Sequence, residues 1–237
     1  KAVLTYKDLP RVPHTTAGQG YPEPSPYDTY TLDNKVRFVG DRVAAVAAET
    51  PEAAREALLK IKVDYEILPA VFDTFEAMKE GAPVIHDEED SKNIPDAKHN
   101  IAAKFDFEVK NGEWFKEADH VFEQSWTIPY LQHCAIEPHI TIAHFDNLGR
   151  LVLRTSTQVP FHVRRIVAQA LKIPVKSIRV VKPRIGGGFG SKQEVLEDIV
   201  AALALKTKRP VKLEYTRKET FISSRTRHPA EWTQTTS

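Results

Sequence analysis

The stretch Gly186-Gly187-Gly188-Phe189-Gly190, followed by Ser191-Lys192, holds the residues best suited to chemistry. It comes after a strand-like run, Ile178-Arg179-Val180-Val181, and before a segment that reads as a helix from about Gln193 to Lys206. Glycines let backbone approach a ligand closely, and the free N–H groups of a helix start favour negative charge. A phosphate or another anionic cofactor group is the ligand such a loop suits. Neither nucleotide fingerprint is complete. A dinucleotide-binding turn wants Gly where Ser191 stands, and an NTP-binding loop wants Ser or Thr where Gln193 follows Lys192.

A second cluster is Gln132-His133-Cys134-Ala135-Ile136-Glu137-Pro138-His139, read as a strand. His133, Glu137 and His139 share parity and would face one side of an extended chain. Two histidines and a carboxylate could ligate a metal such as non-haem iron. Strand rise, however, separates them by roughly 6–14 Å, too far for one ion. That leaves a core histidine or a polar wall facing a bound group. Ser156-Thr157-Gln158 closes the next strand, where its hydroxyls and amide could cap the following helix. A Ser-His-Asp hydrolase lacks its Gly-x-Ser-x-Gly elbow. Cys134 reads as an inert core residue.

The elements that would position these groups follow from periodicity. Residues 1–34 are turn-rich, with Pro10, Pro13, Pro22, Pro24 and Pro26, and should wrap or link. Val36–Val39 and Val43–Ala47 flank Gly40-Asp41 as a hairpin. Thr50-Pro51-Glu52 signals an N-cap and a helix to Ile61, with Ala54, Ala57, Leu58 and Ile61 on one buried face. Val63–Leu68 alternates as a strand. The acidic run from His86 to Asn100 reads as an exposed linker. Beyond it come strands over Val121–Tyr130, Ala135–Phe145 and Leu151–Thr155, the last two joined by a turn at Asp146–Gly149. A helix over Pro160–Leu171, with Val163, Ile166, Val167 and Ala170 on one stripe, and a strand at Val211–Tyr215 complete the pattern.

The chain has 33 basic and 32 acidic side chains, a balance that argues against nucleic acid as a partner. One cysteine rules out an intrachain disulfide and a cysteine-ligated iron–sulfur cluster built from this chain alone. Apolar runs are too short for a membrane span, so a cytoplasmic protein without membrane contact is expected. Lys1 opens directly on a strand-like run and the C-terminus stops on Trp232-Thr233-Gln234-Thr235-Thr236, as a fragment of a longer protein would.

Three separated motifs, Gln132-His133-x-x-x-Glu137-Pro138-His139, Ser156-Thr157-Gln158-x-Pro160 and Arg184-x-Gly-Gly-Gly-Phe-Gly-Ser-Lys192, together resemble the molybdopterin-binding subunit of the xanthine dehydrogenase and aldehyde oxidase family. Arg227-His228-Pro229 is similar to a fourth motif, and Val36 to Leu68 resembles the family's small hammerhead domain. The fold class implied is α+β: a hammerhead-type domain over residues 1–85, a linker over 86–118, and the first part of a molybdopterin-binding domain over 119–237.

That resemblance implies a molybdenum–pyranopterin cofactor, with or without an attached nucleotide, and no protein ligand to the metal. Gln132 would contact the apical oxygen of molybdenum. Gly187, Gly188, Phe189 and Gly190 would lie along the cofactor. Gln193 stands where purine-oxidising relatives carry a substrate-gripping glutamate. The catalytic base is expected beyond Ser237, so no catalytic residue is assigned here and the chain alone should be inactive. FAD and iron–sulfur clusters of the 2Fe–2S type would sit on other domains or subunits, with the rest of the molybdenum subunit as further partner. The implied reaction is hydroxylation of an N-heteroaromatic, of purine or nicotinate type, with water as oxygen source. Rivals are an aldehyde oxidoreductase, a non-catalytic cofactor-binding or assembly subunit, and a nucleotide binder using Glu214 for a ribose.

Overall fold

A computed structural model describes residues 1–16, 25–108, 114–193 and 196–237. Its centre is a four-stranded mixed sheet. Ile140–Phe145 (β4) pairs antiparallel with Leu151–Thr155 (β5) on one side and with Val211–Glu214 (β7) on the other, while β5 runs parallel to Ile178–Val181 (β6). The order is β6-β5-β4-β7. The Asp146–Gly149 turn joins β4 to β5 as expected, with the Asp146 carboxylate accepting the Leu148 and Arg150 amides, each at 2.9 Å.

Two helices pack on this sheet. Pro160–Ala170 (α3) buries the expected stripe of Val163, Ile166, Val167 and Ala170. Glu197–Thr207 (α4) is buried continuously from Glu197 to Ala204, because it lies between the sheet and a β-ribbon. The ribbon is Ala2–Thr5 (β1) against Ala44–Ala47 (β2). Leu4, Leu153, Val163, Val200, Leu203 and Tyr215 thus share one core across the chain. A helix without a polar face belongs in such a place.

Several expectations about the first half need correcting. Residues 38–41 do form a turn, with the Asp41 amide bonded to the Phe38 carbonyl at 3.1 Å. The strand leaving it nevertheless pairs with β1, and Val36–Val39 forms no ladder. Thr50 caps the helix Pro51–Leu59 (α1) through its side chain, yet α1 buries no residue and Leu58 is 50% exposed. Val63–Leu68 is not a strand; among the described residues nothing pairs with it, and alternation needs a partner to become a ladder. The short helix Thr74–Ala77 (α2) follows it.

The acidic run is not a bare linker either. Lys35 pairs with Asp87 at 2.5 Å, Arg37 bridges Asp33 at 3.1 Å and Glu88 at 2.5 Å, and Arg11 pairs with Asp90. An isolated β-bridge links Tyr27 to Lys92. The cations that neutralise this run lie 50 to 80 residues upstream, and they draw it onto the wrapping N-terminal segment. At the far end, Phe122–Ile128 (β3) pairs with Ala230–Thr236 (β8), with Trp126 edge-on to Trp232 at 5.6 Å.

Candidate functional site

Because β4 and β5 are antiparallel, the segment entering β4 and the segment leaving β5 emerge side by side. The Ser156 amide bonds to the Ile140 carbonyl at 3.1 Å and seals that edge. The loop after β6 arrives at the same end, so all three sequence motifs meet there. Nothing local in any one of them predicts this; it follows from the strand order.

The entering segment is not extended as expected. Cys134 sits at φ +53°, in the left-handed region, which breaks the parity that would align His133 with Glu137 and His139. Cys134 is exposed rather than in the core. Arg217, at the start of Arg217–Ser223 (α5), donates to the Ala135 and Ile136 carbonyls, each at 2.7 Å, and fixes the bend. No group of three or more His, Cys, Asp or Glu able to hold a metal ion occurs among the described residues.

Gln132 lies against α5. Its amide nitrogen donates to the Thr220 carbonyl (3.0 Å) and the Ser224 hydroxyl (3.2 Å), and its oxygen accepts the His133 amide at 2.7 Å. His133 sits beside Gly190: its Nε2 is 3.6 Å from where a side chain at 190 would start, and its buried Nδ1 has no hydrogen-bond partner among the described residues.

Glu137 faces the start of the glycine loop. Its carboxylate accepts the Gly186 amide at 2.9 Å and the ammonium of Lys192, whose side chain is 0% exposed. Burial would raise the Glu137 carboxyl; the hydrogen bonds from Lys192 and Gly186 and the Lys192 charge outweigh it and hold the group below the usual carboxylate range. His139 donates from Nε2 to the Ser191 carbonyl at 3.1 Å, and burial keeps its ring pKa below the ordinary value, so the ring is neutral at neutral pH. Behind it, the Thr155 hydroxyl contacts Thr141 and donates to the buried Glu197 carboxylate, both at 2.7 Å.

Gln158 faces the end of the loop, and its side-chain oxygen accepts the Gly190 amide at 2.9 Å and the Lys192 amide at 3.4 Å. Thr157 caps no helix end by itself: its hydroxyl donates to the Lys192 carbonyl at 3.2 Å and accepts the Val159 amide at 3.2 Å. These bonds commit the backbone around residue 192, and α4 begins at Glu197 rather than at Gln193. Glu194 and Val195, counted in that expected helix, lie outside the described residues. The helix start therefore does not abut the glycines, and the loop's own amides must do the binding.

Three of those amides make no bond within the loop, although Gly188 itself is buried against Gln158. Gly187, Gly188 and Phe189 have no hydrogen bond to their N–H groups among the described residues. Gly187 (φ +96°) and Phe189 (φ +53°) flank a residue of negative φ, an alternation of the kind seen in backbone turns that bind anions. Phe189 is 72% exposed beside them, its ring edge lying over Gly187. Gln193 follows with its carbonyl held by the Arg225 guanidinium at 2.9 Å.

Loop N–H groups without a partner among the described residues, beside an exposed aromatic side chain, suit an anionic heterocyclic ligand. Sequence reading singled out the loop but gave no role to Glu137, Gln158 or Lys192 in shaping it. Their signal is three-dimensional, since Glu137 and Lys192 are 55 positions apart.

Comparison with known proteins identifies the family. The family model described as "Molybdopterin cofactor-binding domain" matches residues 94–236, and "Aldehyde oxidase and xanthine dehydrogenase, a/b hammerhead domain" matches residues 1–69. The chain is 40% identical over 260 residues to "Probable hypoxanthine oxidase XdhD" of Escherichia coli (strain K12), covering 98% of this chain and 27% of that protein. It is 37% identical over 199 residues to "Nicotinate dehydrogenase large molybdopterin subunit" of Eubacterium barkeri, covering 84% of this chain and 45% of that one. The solved aldehyde oxidoreductase of Desulfovibrio gigas superposes with a TM-score of 0.80 at 26% identity, covering 99% of this chain and 26% of that structure. The chain thus spans about a quarter of the length of the first of these relatives. Among the described residues no helix is long and apolar enough to cross a membrane.

Proposed function

The chain belongs to the xanthine dehydrogenase and aldehyde oxidase family of molybdenum hydroxylases and carries its molybdopterin-binding domain, and from that premise we propose that, within its whole protein, it forms one wall of the site where an electron-poor N-heteroaromatic is hydroxylated. The observation that carries this reading is the set of unspent amides at Gly187, Gly188 and Phe189 beside an exposed aromatic ring.

When bound, the molybdenum–pyranopterin supplies two-electron redox chemistry, with water as the proposed source of oxygen. The chain's own residues bind and orient. The loop amides of Gly187, Gly188 and Phe189 would donate to the cofactor, with Gly190 leaving room for the His133 ring beside them. Phe189 walls one side and excludes water. Gln132, by its place in the motif, would help hold the molybdenum group if its amide left Thr220 or Ser224. Gln193 donates to or accepts from the substrate ring without charge. The base that takes the proton belongs to another part of the protein, as do flavin and iron–sulfur carriers. Residues 1–85 are assigned to the hammerhead domain and 119–237 to the cofactor wall, with 86–118 between them and its acidic part held on the N-terminal segment by Arg11, Lys35 and Arg37.

Relatives described as a hypoxanthine oxidase and a nicotinate dehydrogenase support an N-heteroaromatic substrate. The fold likeness to an aldehyde oxidoreductase supports aldehydes as the second reading. Gln193→Glu in the full-length holoenzyme separates them. Purine turnover is expected to rise, through KM, by about tenfold to a hundredfold relative to nicotinate and aldehydes, the worth of one charge-assisted contact. Unchanged ratios would remove Gln193 from the substrate site, and efficient aldehyde turnover with no heteroaromatic turnover would favour the second reading.

A further inference from the structure

The glycine loop is gripped twice in the same way. At its entry, the Glu137 amide donates to the Gly186 carbonyl at 3.2 Å while the Glu137 carboxylate accepts the Gly186 amide at 2.9 Å. At its exit, the Gln158 amide donates to the Lys192 carbonyl at 2.9 Å while the Gln158 side-chain oxygen accepts the Gly190 and Lys192 amides. Each grip is reciprocal, one main-chain donor and one side-chain acceptor. The buried Lys192 ammonium then returns from the exit grip to the Glu137 carboxylate at the entry and closes the ring.

The two side chains also occupy the space the glycines leave. A Cβ on Gly186 would lie 2.6 Å from Glu137 Cβ, and one on Gly188 would lie 2.6 Å from Gln158 Oε1. The grips use the outer amides at 186, 190 and 192 and leave the inner three. A loop of this kind would otherwise sample many conformations, and ordering it would be charged against ligand binding.

We infer that Glu137 and Gln158 are positioning residues that hold the Gly186–Lys192 loop in its binding shape, so that the inner amides meet the cofactor already ordered. This rests on the molybdopterin reading. Neither residue touches the cofactor; both act through the loop. The ammonium of Lys192 joins them and is too deeply buried to serve as a ligand itself.

The test uses the full-length holoenzyme with Gln158→Ala, Gln158→Met and Gln158→Glu. Met keeps the side-chain volume without the acceptor, and Glu restores the acceptor. Two readouts are followed: amide hydrogen exchange of a peptide spanning residues 186–192, and pterin retained after prolonged dialysis. The Ala and Met variants are expected to exchange about tenfold faster and lose pterin about tenfold faster, with the Glu variant close to wild type, since each lost acceptor leaves amides unpaired. Unchanged exchange in folded Gln158→Met overturns the grip. Faster exchange with unchanged pterin retention overturns its service to the cofactor. Wild-type protein without pterin would instead sink the cofactor reading, while the exchange comparison would still decide whether Gln158 holds the loop.

Discussion

Asp198→Ala is expected to destabilise the fold by roughly 3–5 kcal/mol, the usual effect of stripping one partner from a buried ion pair. Arg42 grips Asp198 with both guanidinium nitrogens, at 2.6 and 3.0 Å, and so ties the segment before β2 to the first turn of α4 across 156 positions. Without the carboxylate, Arg42 keeps, among the described residues, only the bond to the Tyr30 carbonyl at 3.3 Å, and its charge stays largely shielded from water. Burial alone would raise the Asp198 carboxyl, but the charge and hydrogen bonds of Arg42 prevail and keep it below the usual carboxylate range. A depressed folded-state pKa means that this stabilisation is complete above the unfolded-state value and disappears as pH falls through the folded one. His14, buried nearby, works in the same direction: burial holds its pKa below the ordinary value, and acid must charge it in place. Urea midpoints of the intact protein at neutral and acid pH check this. Asp198→Asn should flatten the acid loss that wild type shows, and a change under 1 kcal/mol for Asp198→Ala would refute the account of this joint.

Gly186→Ala should have the second largest effect, on the site instead of the fold. The new methyl would stand 2.6 Å from Glu137 Cβ, an atom too close to its own backbone to swing away. Either the loop or the segment before β4 must shift. Overpacking of this kind costs about 1–3 kcal/mol. Spent on displacing the binding loop, that is roughly a fivefold to 150-fold loss in cofactor affinity, by the tenfold per 1.4 kcal/mol rule. Pterin content of the purified holoenzyme, compared at equal urea midpoint, measures it. Wild-type content with a wild-type midpoint would show that the approach of Glu137 to the loop is dispensable.

What the sequence made legible was local. The stripe of α3, the Thr50 cap, the Asp146 turn and the strand–glycine loop–helix order all depend on neighbours within a few positions, and all appear in the structure. Failures occurred where a distant partner decided the outcome. Val63–Leu68 has a strand's alternation and no strand beside it among the described residues, and Ala44–Ala47 pairs with Ala2–Thr5 rather than with its neighbour. By its own charge the acidic run is an exposed linker, whereas Arg11, Lys35 and Arg37 decide where it lies.

The site follows the same division. Glycines announce a close backbone approach from sequence alone, and the family motifs announce a cofactor. The residues that shape the loop are ordinary by type. Glu137 could be any surface carboxylate and Gln158 any strand-end amide until the strand order of β4 and β5 sets them on either side of Gly186–Lys192. The left-handed turn at Cys134 is similarly silent, because nothing about a cysteine predicts it.

The most direct test of the central claim is molybdenum and pterin analysis of the full-length protein, with its partner subunits, isolated from its native host. About one molybdenum per copy of this chain, released together with a fluorescent pterin, is the predicted result for a site of this type. Folded, undamaged protein carrying neither would contradict the claim and leave the loop as a binder of some other anion.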